Sequence, residues 1–141
     1  MLSNTFVTPL GLMTIVHQND VVYELKFTND YNHITYNDLT NNILNYYNTL
    51  DLNINYKLVR TPFQLLVWNE ICKIPKRQTR TYGEIATLIG KSKSYRAVAR
   101  ACGQNKLSLI VPCHRVVGKN NIGGYEWGVD IKKWLLDFEK Q

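Results

Sequence analysis

The secondary structure that the sequence favours changes near residue 60. Before that point, residues 6–27 contain three short runs rich in Val, Ile, Phe and Tyr, interrupted by turn residues at 9–11 and 18–20. Runs of this kind predict a small antiparallel meander. Beyond residue 60 the signals are those of helix starts and helix ends. Two lobes of different type are therefore expected within a chain of 141 residues.

The first lobe should contain one helix packed on the meander. Six apolar residues fall on one helical face, namely Tyr36, Leu39, Ile43, Tyr46, Tyr47 and Leu50. Residues 54–59 (INYKLV) are then typical of another strand. We predict an N-terminal α+β lobe over residues 1–58 with nothing at catalytic spacing. His17 and His33 stand alone in it and are interpreted as ordinary polar residues.

The second lobe, residues 61–141, begins with clear helix-start signals. Thr61 is placed to cap a helix that starts at Pro62, and Thr81 with Glu84 has the spacing of a capping box. Gly90 can end that second helix in a left-handed conformation. We therefore predict an α+β protein whose C-terminal lobe is mainly helical.

A third helix should follow, and with the second it resembles a helix-turn-helix. Its expected cap is Ser94, and its expected small buried face consists of Ala97, Val98 and Ala101. The same helix carries two arginines, Arg96 and Arg100. Many paired helices carry arginines and bind nothing, so this pattern alone does not assign a function.

Positive charge is concentrated in the second lobe. Residues 1–56 hold one basic residue against five acidic ones, whereas residues 57–141 hold 16 against 6, for a net charge of +6. A basic lobe with a helix-turn-helix pattern suits a polyanion such as nucleic acid. Basic enzymes without such a partner are also common, so charge leaves both classes open.

The composition excludes several other classes. Cys72, Cys102 and Cys113 form neither an even set nor a CxxC pair, which argues against a disulfide framework and a cysteine-based zinc site. No run of about 18 apolar residues and no secretory signal is present, so we expect no membrane association. We expect a cytoplasmic protein with reduced thiols, associated with the nucleoid, or a nuclear one in a eukaryote.

One short segment, IVPCHRVVG at residues 110–118, is unusual because a cysteine stands between a proline and a histidine. Pro112 restricts the residues before it to extended geometry, so Cys113 should lie at a sharp turn. A cysteine reacts as the thiolate, and a neighbouring imidazole such as His114 can take its proton. For an arbitrary Cys-His pair, a buried structural cysteine beside a surface histidine is the competing interpretation.

The order of several segments favours the reactive interpretation. TYGEIA, RAVARACGQN, IVPCHRVVGKNNIGGY and WLLDFE follow one another between residues 63 and 139. In this order and spacing they resemble the O6-alkylguanine-DNA alkyltransferases, also called methylated-DNA-protein-cysteine methyltransferases. The resemblance covers a little over half of the chain. The first 60 residues match only in their strand-then-helix character.

This resemblance implies a DNA-repair activity. Members of the family bind duplex DNA through the minor groove by the helix-turn-helix, flip an alkylated guanine out of the stack and transfer the alkyl group from its O6 atom to their own cysteine. The thioether product has no easy leaving group, so each molecule should act once. No cofactor is implied. The preferred alkyl group and the repair of O4-alkylthymine are left open, and a monomer is expected.

The resemblance also implies the catalytic roles of five residues. Cys113 matches the alkyl acceptor. His114 matches the residue that draws the cysteine proton through a water held against a glutamate, and Glu139 matches that glutamate. Tyr82 matches the tyrosine that rotates the target phosphate and protonates the leaving purine. Asn105 matches the hinge asparagine that joins the helix-turn-helix to the cysteine turn.

Binding roles are implied in the same way. Arg96 matches the arginine that fills the stack where the base departed. The other expected DNA contacts are Tyr82, Ala97, Ala101, Arg100 and Lys93. The expected base pocket is lined by Val111, Val116, Tyr125, Glu126 and Trp127.

Some positions depart from the family pattern. Ala99 replaces a frequent glycine, and Lys106 replaces a frequent proline after the hinge asparagine. Glu126 and Trp127 stand where small residues are frequent, and we expect the indole to narrow the pocket against bulky alkyl groups. The zinc ligands of some members have no counterpart here, so no metal is expected.

Two alternative functions remain at this stage. Alkyltransferase-like proteins bind alkylated DNA without repairing it, but they lack the cysteine that is present here as Cys113. A helix-turn-helix transcription factor would not need the Pro-Cys-His turn and would usually dimerise on paired half-sites.

Overall fold

The computed structural model describes residues 1–31 and 33–141. The chain forms two compact units, of which the first comprises Met1–Val59 with Lys106–Ile110 and the second comprises Arg60–Asn105 with Val111–Gln141. The change of pattern near residue 60 therefore coincides with a boundary between units. The structure differs from the expected division in one respect, because Lys106–Ile110 belongs to the first unit rather than to the second.

The first unit is built on a four-stranded sheet in the order β1-β2-β3-β4. The strands are β1 (Leu2–Thr8), β2 (Gly11–Gln18), β3 (Val21–Phe27) and β4 (Asn55–Tyr56). The first three form the predicted antiparallel meander, with a register shift at Val16 and His17. The strand predicted over residues 54–59 is real but short, and it pairs in parallel with β3.

Helix α1 (Asp38–Thr49) belongs to this unit. It starts at a reciprocal capping box, in which the Asn37 side chain accepts from the Thr40 amide and the Thr40 hydroxyl accepts from the Asn37 amide. The predicted apolar face is confirmed at Ile43 and Tyr46, which are buried. Tyr36 precedes the helix and is exposed, so it is not part of that face.

The segment Lys106–Ile110 pairs with β3. The Leu25 amide donates to the Lys106 carbonyl at 2.8 Å, and the Ser108 amide donates to the Leu25 carbonyl at 2.9 Å. Leu107 and Leu109 are buried in the same unit. A stretch far along the sequence therefore supplies apolar side chains and backbone hydrogen bonds to the N-terminal unit.

The second unit is mainly helical. Its elements are α2 (Pro62–Ile71), β5 (Arg80–Thr81), α3 (Tyr82–Leu88), α4 (Tyr95–Gly103), a single 3-10 turn (Cys113–Arg115), β6 (Val116–Val117) and α5 (Val129–Glu139). The two capping boxes predicted from sequence are present, at Thr61 with Gln64 and at Thr81 with Glu84. Gly90 follows α3 with φ +77°, as its predicted left-handed role requires.

Helix α4 differs from its prediction at two residues. Ser94 occupies the position before the helix, but its side chain makes no capping hydrogen bond. Ala97 is exposed, whereas Val98, Ala101 and Cys102 are buried. The buried residues are three and four apart, so they share one helical face, and Ala97 lies beside that face rather than on it.

A buried tryptophan links α2 to α4. The Trp68 indole donates its Nε1–H to the Ala101 carbonyl at 2.9 Å, and the Trp68 side chain is 2% exposed. This carbonyl lies in the last turn of α4, where it also accepts from the Gln104 amide at 3.1 Å. None of the helices in residues 1–31 and 33–141 has the length and apolar character needed to span a bilayer.

We expect Trp68→Phe to lower the free energy of unfolding of this unit by about 1–3 kcal/mol, because the buried Ala101 carbonyl loses one of its two donors and the smaller ring leaves a gap in the core. Denaturant unfolding followed by helical circular dichroism measures the loss. Trp134, which is 37% exposed and stacked on Phe138, provides the matched control. Trp134→Phe should change the free energy of unfolding by roughly 0.5 kcal/mol or less. Equal losses in both variants would contradict the role of the indole hydrogen bond.

Candidate active site and nucleic-acid interface

The cysteine turn is a single 3-10 turn that starts directly after Pro112. The Cys113 amide donates to the Val111 carbonyl at 2.7 Å, and the Arg115 amide donates to the Pro112 carbonyl at 2.9 Å. Pro112 has no backbone N–H to donate to a regular hydrogen-bond pattern, and the chain turns here as predicted. The Cys113 and His114 side chains are both buried, at 3% and 0% exposure.

Asn105 connects the residue that precedes the segment Lys106–Ile110 to the residue that follows it. Its side-chain nitrogen donates to the Val111 carbonyl at 3.0 Å, and Asn105 is 2% exposed. The amide also hydrogen-bonds the Cys113 sulfur, which favours the thiolate. The residue expected to be a hinge therefore connects the end of α4 with the cysteine turn.

A buried carboxylate fixes the residues after Cys113. Glu139, near the end of α5, is 1% exposed and receives three hydrogen bonds. Arg115 donates Nε–H to Oε1 at 2.9 Å and Nη2–H to Oε2 at 2.8 Å, and its Nη1 reaches the Ile74 carbonyl at 2.9 Å. The third bond joins Oε2 to Nε2 of His114 at 2.9 Å. The two bonds from Arg115 to the two carboxylate oxygens form the bidentate geometry that is typical of strong Arg–carboxylate pairs.

The contact between His114 and Glu139 is direct. An ionised carboxylate only accepts, so His114 carries its proton on Nε2 and leaves a lone pair on Nδ1. This Nδ1 atom is buried and has no hydrogen-bond partner among the residues that the structure describes. Burial lowers the pKa of His114 below its ordinary value, against the opposing effect of Glu139, so the imidazole is neutral near pH 7. The site thus contains a buried, unpaired base.

Burial raises the pKa of the Cys113 thiol well above its ordinary value, and the neighbouring Cys102 raises it further. The hydrogen bond from Asn105 acts in the opposite direction but is the smaller effect. At rest Cys113 is therefore a neutral thiol. A nucleophilic sulfur forms here only if a base removes the proton during the reaction.

Cys113 opens into a cavity of about 320 Å³. Its lining residues are Tyr82, Ala99, Cys102, Gly103, Cys113, Gly124, Tyr125 and Glu126. Tyr125 and Glu126 therefore lie where they were expected. This volume is at the lower end of the range of small-molecule sites, roughly 300–1,000 Å³.

Three expected pocket residues are not among those that line the cavity. Val111 and Val116 are fully buried, at 0% exposure, and belong to the core. The Trp127 indole packs edge-on against the Tyr125 ring, with centroids 5.4 Å apart. Trp127 therefore contacts a cavity residue, Tyr125, without lining the cavity itself, and its effect on bulky alkyl groups stays a prediction.

Lys132 was not identified from the sequence, although it is buried beside the cavity at 0% exposure. Its ammonium donates to the Val116 carbonyl at 2.6 Å and to the Gly124 carbonyl at 2.8 Å. Its nitrogen also lies 5.8 Å from the centroid of the Tyr82 ring. Burial lowers the pKa of Lys132 to about 8, so it is still mostly charged at pH 7.

Tyr82, the first residue of α3, is held against the loop that Lys132 fixes. Its hydroxyl hydrogen-bonds the backbone of Gly124, and burial raises the pKa of the phenol. Gly123 has φ +76°, and a Cβ built on it would lie 2.5 Å from the Tyr82 hydroxyl. Only glycine at this position lets the loop approach the phenol so closely.

A larger groove of about 1130 Å³ lies on the helix-turn-helix. Its lining residues include three cations, Arg80, Arg96 and Lys119, and one acid, Glu84, whose carboxylate is used in the capping box of α3. Such a basic groove suits a phosphate backbone. Tyr82 and Ala99 line both the groove and the cysteine cavity, so the two adjoin.

Only some of the residues expected to contact DNA line the groove. Arg96 and Tyr82 line the groove, and the Arg96 guanidinium lies 5.7 Å from the Tyr95 ring centroid. Lys93, Ala97 and Arg100 are exposed but do not line the groove.

Ala101 is 1% exposed, on the inner face of α4, so its side chain is unavailable to a ligand and that prediction was wrong.

The sequence analysis passed over Lys132, although its position in α5 carries a recognisable signal. Lys132, Leu135 and Glu139 have the i, i+3, i+7 spacing of one helical face. Because Leu135 marks that face as buried, the two charged residues on it indicated buried charges. Arg115 follows His114 directly but was given no role. Cys102 has no comparable signal, since only the fold brings it to Cys113.

Comparison with known proteins agrees with this geometry. Residues 62–141 match the family model of the 6-O-methylguanine DNA methyltransferase DNA-binding domain. A probable methylated-DNA–protein-cysteine methyltransferase of Acanthamoeba polyphaga mimivirus is 60% identical over 89 residues, which is 63% of this chain and 60% of that protein. The Saccharomyces cerevisiae (strain YJM789) methylated-DNA–protein-cysteine methyltransferase is 48% identical over 85 residues, 60% of this chain and 45% of that protein. The chain thus spans less than two thirds of either relative.

Among solved structures, Mycobacterium tuberculosis OGT in complex with DNA superposes with a TM-score of 0.88 at 32% identity, over 98% of this chain and 92% of that one. The likeness therefore includes the N-terminal unit, where sequence alone indicated only a strand-then-helix character. On the strength of the family model and this structure, the chain belongs to the 6-O-methylguanine DNA methyltransferase family.

Proposed function

We propose that this protein repairs duplex DNA by transferring an alkyl group from O6 of guanine to the sulfur of Cys113, once per molecule. The observation that carries the proposal is a buried thiol, Cys113, that lines a cavity adjoining a basic groove and is followed directly by a buried histidine with an unpaired Nδ1. The membership of the chain in the methyltransferase family supports the same assignment.

Activation of the thiol uses the His114–Glu139 pair. Cys113 is neutral at rest because burial raises its pKa, and His114 is neutral because burial lowers its pKa. The thiol proton moves to His114 as the sulfur attacks the alkyl carbon, and Glu139 stabilises the imidazolium through the 2.9 Å contact at Nε2. Arg115 keeps the carboxylate ionised and oriented by its two hydrogen bonds.

Departure of the guanine needs an acid. The C–O bond breaks as the C–S bond forms, and the electron pair stays on the purine. Tyr82 lines the cavity and is proposed to donate its phenolic proton to the purine. The phenolate so formed is stabilised by the Gly124 backbone and by the Lys132 ammonium near its ring. Lys132 thus acts as a positioning residue, since it also fixes the Gly124 carbonyl at 2.8 Å.

Recognition of DNA is assigned to the groove. Phosphates are neutralised by Arg80 and Lys119, and the extruded base passes between Tyr82 and Ala99 into the cavity. Arg96, on the exposed side of α4, fills the space in the stack. The cavity is small, and five of its eight lining residues are Gly, Ala or Cys, which favours a single base with a short alkyl group.

The transfer itself is tested by the mass of the intact protein after incubation with duplex DNA that contains O6-methylguanine. The reduced protein should gain one CH₂ unit, located on Cys113, because the methyl replaces the thiol proton. Cys113→Ser should gain nothing and still bind the DNA, since its side chain makes none of the groove contacts. Cys72→Ser, altered outside the cavity, should gain the unit as the wild type does. Methyl found on Cys72 or Cys102, or binding without any gain, would refute the proposal.

Arg96→Ala should slow transfer from duplex DNA but not from free O6-benzylguanine, because only the duplex has a gap to fill. Loss of the stacked cation costs about 1–2 kcal/mol, and each 1.4 kcal/mol or so is a tenfold change in rate. Arg100→Ala, on the same helix but outside the groove lining, is the matched control and should slow the duplex reaction much less. Single-turnover rates on both substrates decide the point. An equal loss on free base and duplex would count against the intercalating role.

The transfer rate should fall in acid because protonated His114 cannot accept the thiol proton. The pKa of His114 is lowered, so the midpoint of this fall should lie below the ordinary value of 6.5. Above neutral pH the rate should continue to rise, since the pKa of Cys113 is raised. Single-turnover rates with free O6-benzylguanine measure the profile, with circular dichroism confirming the fold at each pH. His114→Gln should react slowly without this acid limb, and an unchanged limb would assign it to another group.

A further inference from the structure

Two thiols share the cysteine cavity. Cys102 lies in the last turns of α4 and Cys113 begins the 3-10 turn, and both side chains line the same 320 Å³ cavity. Cys102 also contributes to the raised pKa of Cys113, so the two thiols interact across this space. Cys72, the third cysteine of the chain, does not line the cavity. Cys113 therefore shares a space that admits small molecules with one other thiol, that of Cys102, among the residues that line the cavity.

We propose that this pair is an oxidative modification site, at which a peroxide converts Cys102 and Cys113 into a disulfide that a dithiol reductant reopens. Alkyl transfer by Cys113 does not require Cys102 to react, so the disulfide is an additional chemistry of the same cavity. It goes beyond the proposed repair function, although it acts on the proposed acceptor.

The local backbone favours a bridge between these residues. The chain leaves α4 shortly after Cys102 and returns just before Cys113, and Asn105 ties the two ends through its 3.0 Å bond to the Val111 carbonyl. A disulfide needs its two Cα atoms roughly 4.4–6.8 Å apart. The two side chains line one small cavity, so both thiols face the space in which such a bridge would form.

The charges around the two sulfurs favour oxidation at this site. The Lys132 ammonium interacts electrostatically with both Cys102 and Cys113, so a positive charge lies near the two sulfurs. His114 provides a neutral base beside Cys113, as it does for alkyl transfer. Only a thiolate attacks a peroxide at a useful rate, and these two groups are the ones that provide it.

The oxidation proceeds in two balanced steps. The Cys113 sulfur attacks one oxygen of hydrogen peroxide, the O–O bond breaks, and sulfenic acid and water are formed. The Cys102 sulfur then attacks the sulfenic sulfur, the S–O bond breaks, and a second water leaves with the thiol proton. Two thiols lose two hydrogen atoms in total and the peroxide is reduced to two waters. Without Cys102, the sulfenic acid is open to further oxidation to sulfinic acid, which dithiols do not reverse.

The bridge is tested on the purified full-length protein without DNA. After treatment with hydrogen peroxide, the free thiols are blocked with iodoacetamide and the protein is digested with trypsin, which cuts after Lys106. The expected product is residues 101–106 linked to residues 107–115, lighter by two hydrogen atoms than the sum of the two peptides. Cys72 should be the one cysteine that carries the blocking group. Absence of this linked pair, or a bridge to Cys72, would overturn the inference.

Recovery of activity provides the second readout. Each variant is compared with its own reduced form in methyl transfer, before oxidation, after peroxide and after dithiothreitol. The wild type and Cys72→Ser should regain most of the lost activity on reduction, whereas Cys102→Ser and Cys102→Ala should regain little. Two different substitutions at Cys102 are used so that the test still stands if one of the variants fails to fold. Equal recovery with and without Cys102 would also overturn the inference, while a reduced wild type that transfers no methyl would contradict the proposed function instead.

Discussion

The buried carboxylate of Glu139 is the group on which the cysteine turn depends. It takes two hydrogen bonds from Arg115 and one from His114, and so joins the last helix to the turn that follows Pro112. A buried charge is tolerated only when it is paired and fully hydrogen-bonded, and Arg115 meets that requirement while also donating to the Ile74 carbonyl, three residues beyond the end of α2. Because the carboxylate occupies Nε2 of His114, it decides which imidazole nitrogen is free to act as a base.

Much of this architecture could be predicted from the sequence because it is specified locally. The capping residues Thr61 and Thr81, the left-handed Gly90 and the turn after Pro112 each depend on neighbours within four residues. The meander depends on alternation over short runs and was predicted for the same reason. The resemblance of four ordered segments then indicated Cys113 as the centre of the site.

Other features depend on which way a side chain points after the chain has folded. The sequence analysis placed Ala101 toward DNA and Trp127 in the pocket lining, yet Ala101 is buried on the inner face of α4 and Trp127 packs edge-on against the Tyr125 ring without lining the cavity. Lys132 was missed because a lysine is normally exposed, and its burial is stabilised by two backbone carbonyls from distant parts of the chain. Such contacts between residues far apart in sequence leave no local pattern to recognise.

Because Lys106–Ile110 belongs to the first unit while the residues on both sides of it belong to the second, no single cleavage of the chain separates the two units. A fragment that begins at Arg60 would contain every residue of the cysteine cavity but would lack Leu25, whose backbone pairs with this segment. Leu107 and Leu109, now 2% and 3% exposed, would then face water in the middle of the fragment. The N-terminal unit lines no part of the cavity with its residues before Arg60, yet it buries and hydrogen-bonds the stretch of chain that directly precedes Cys113.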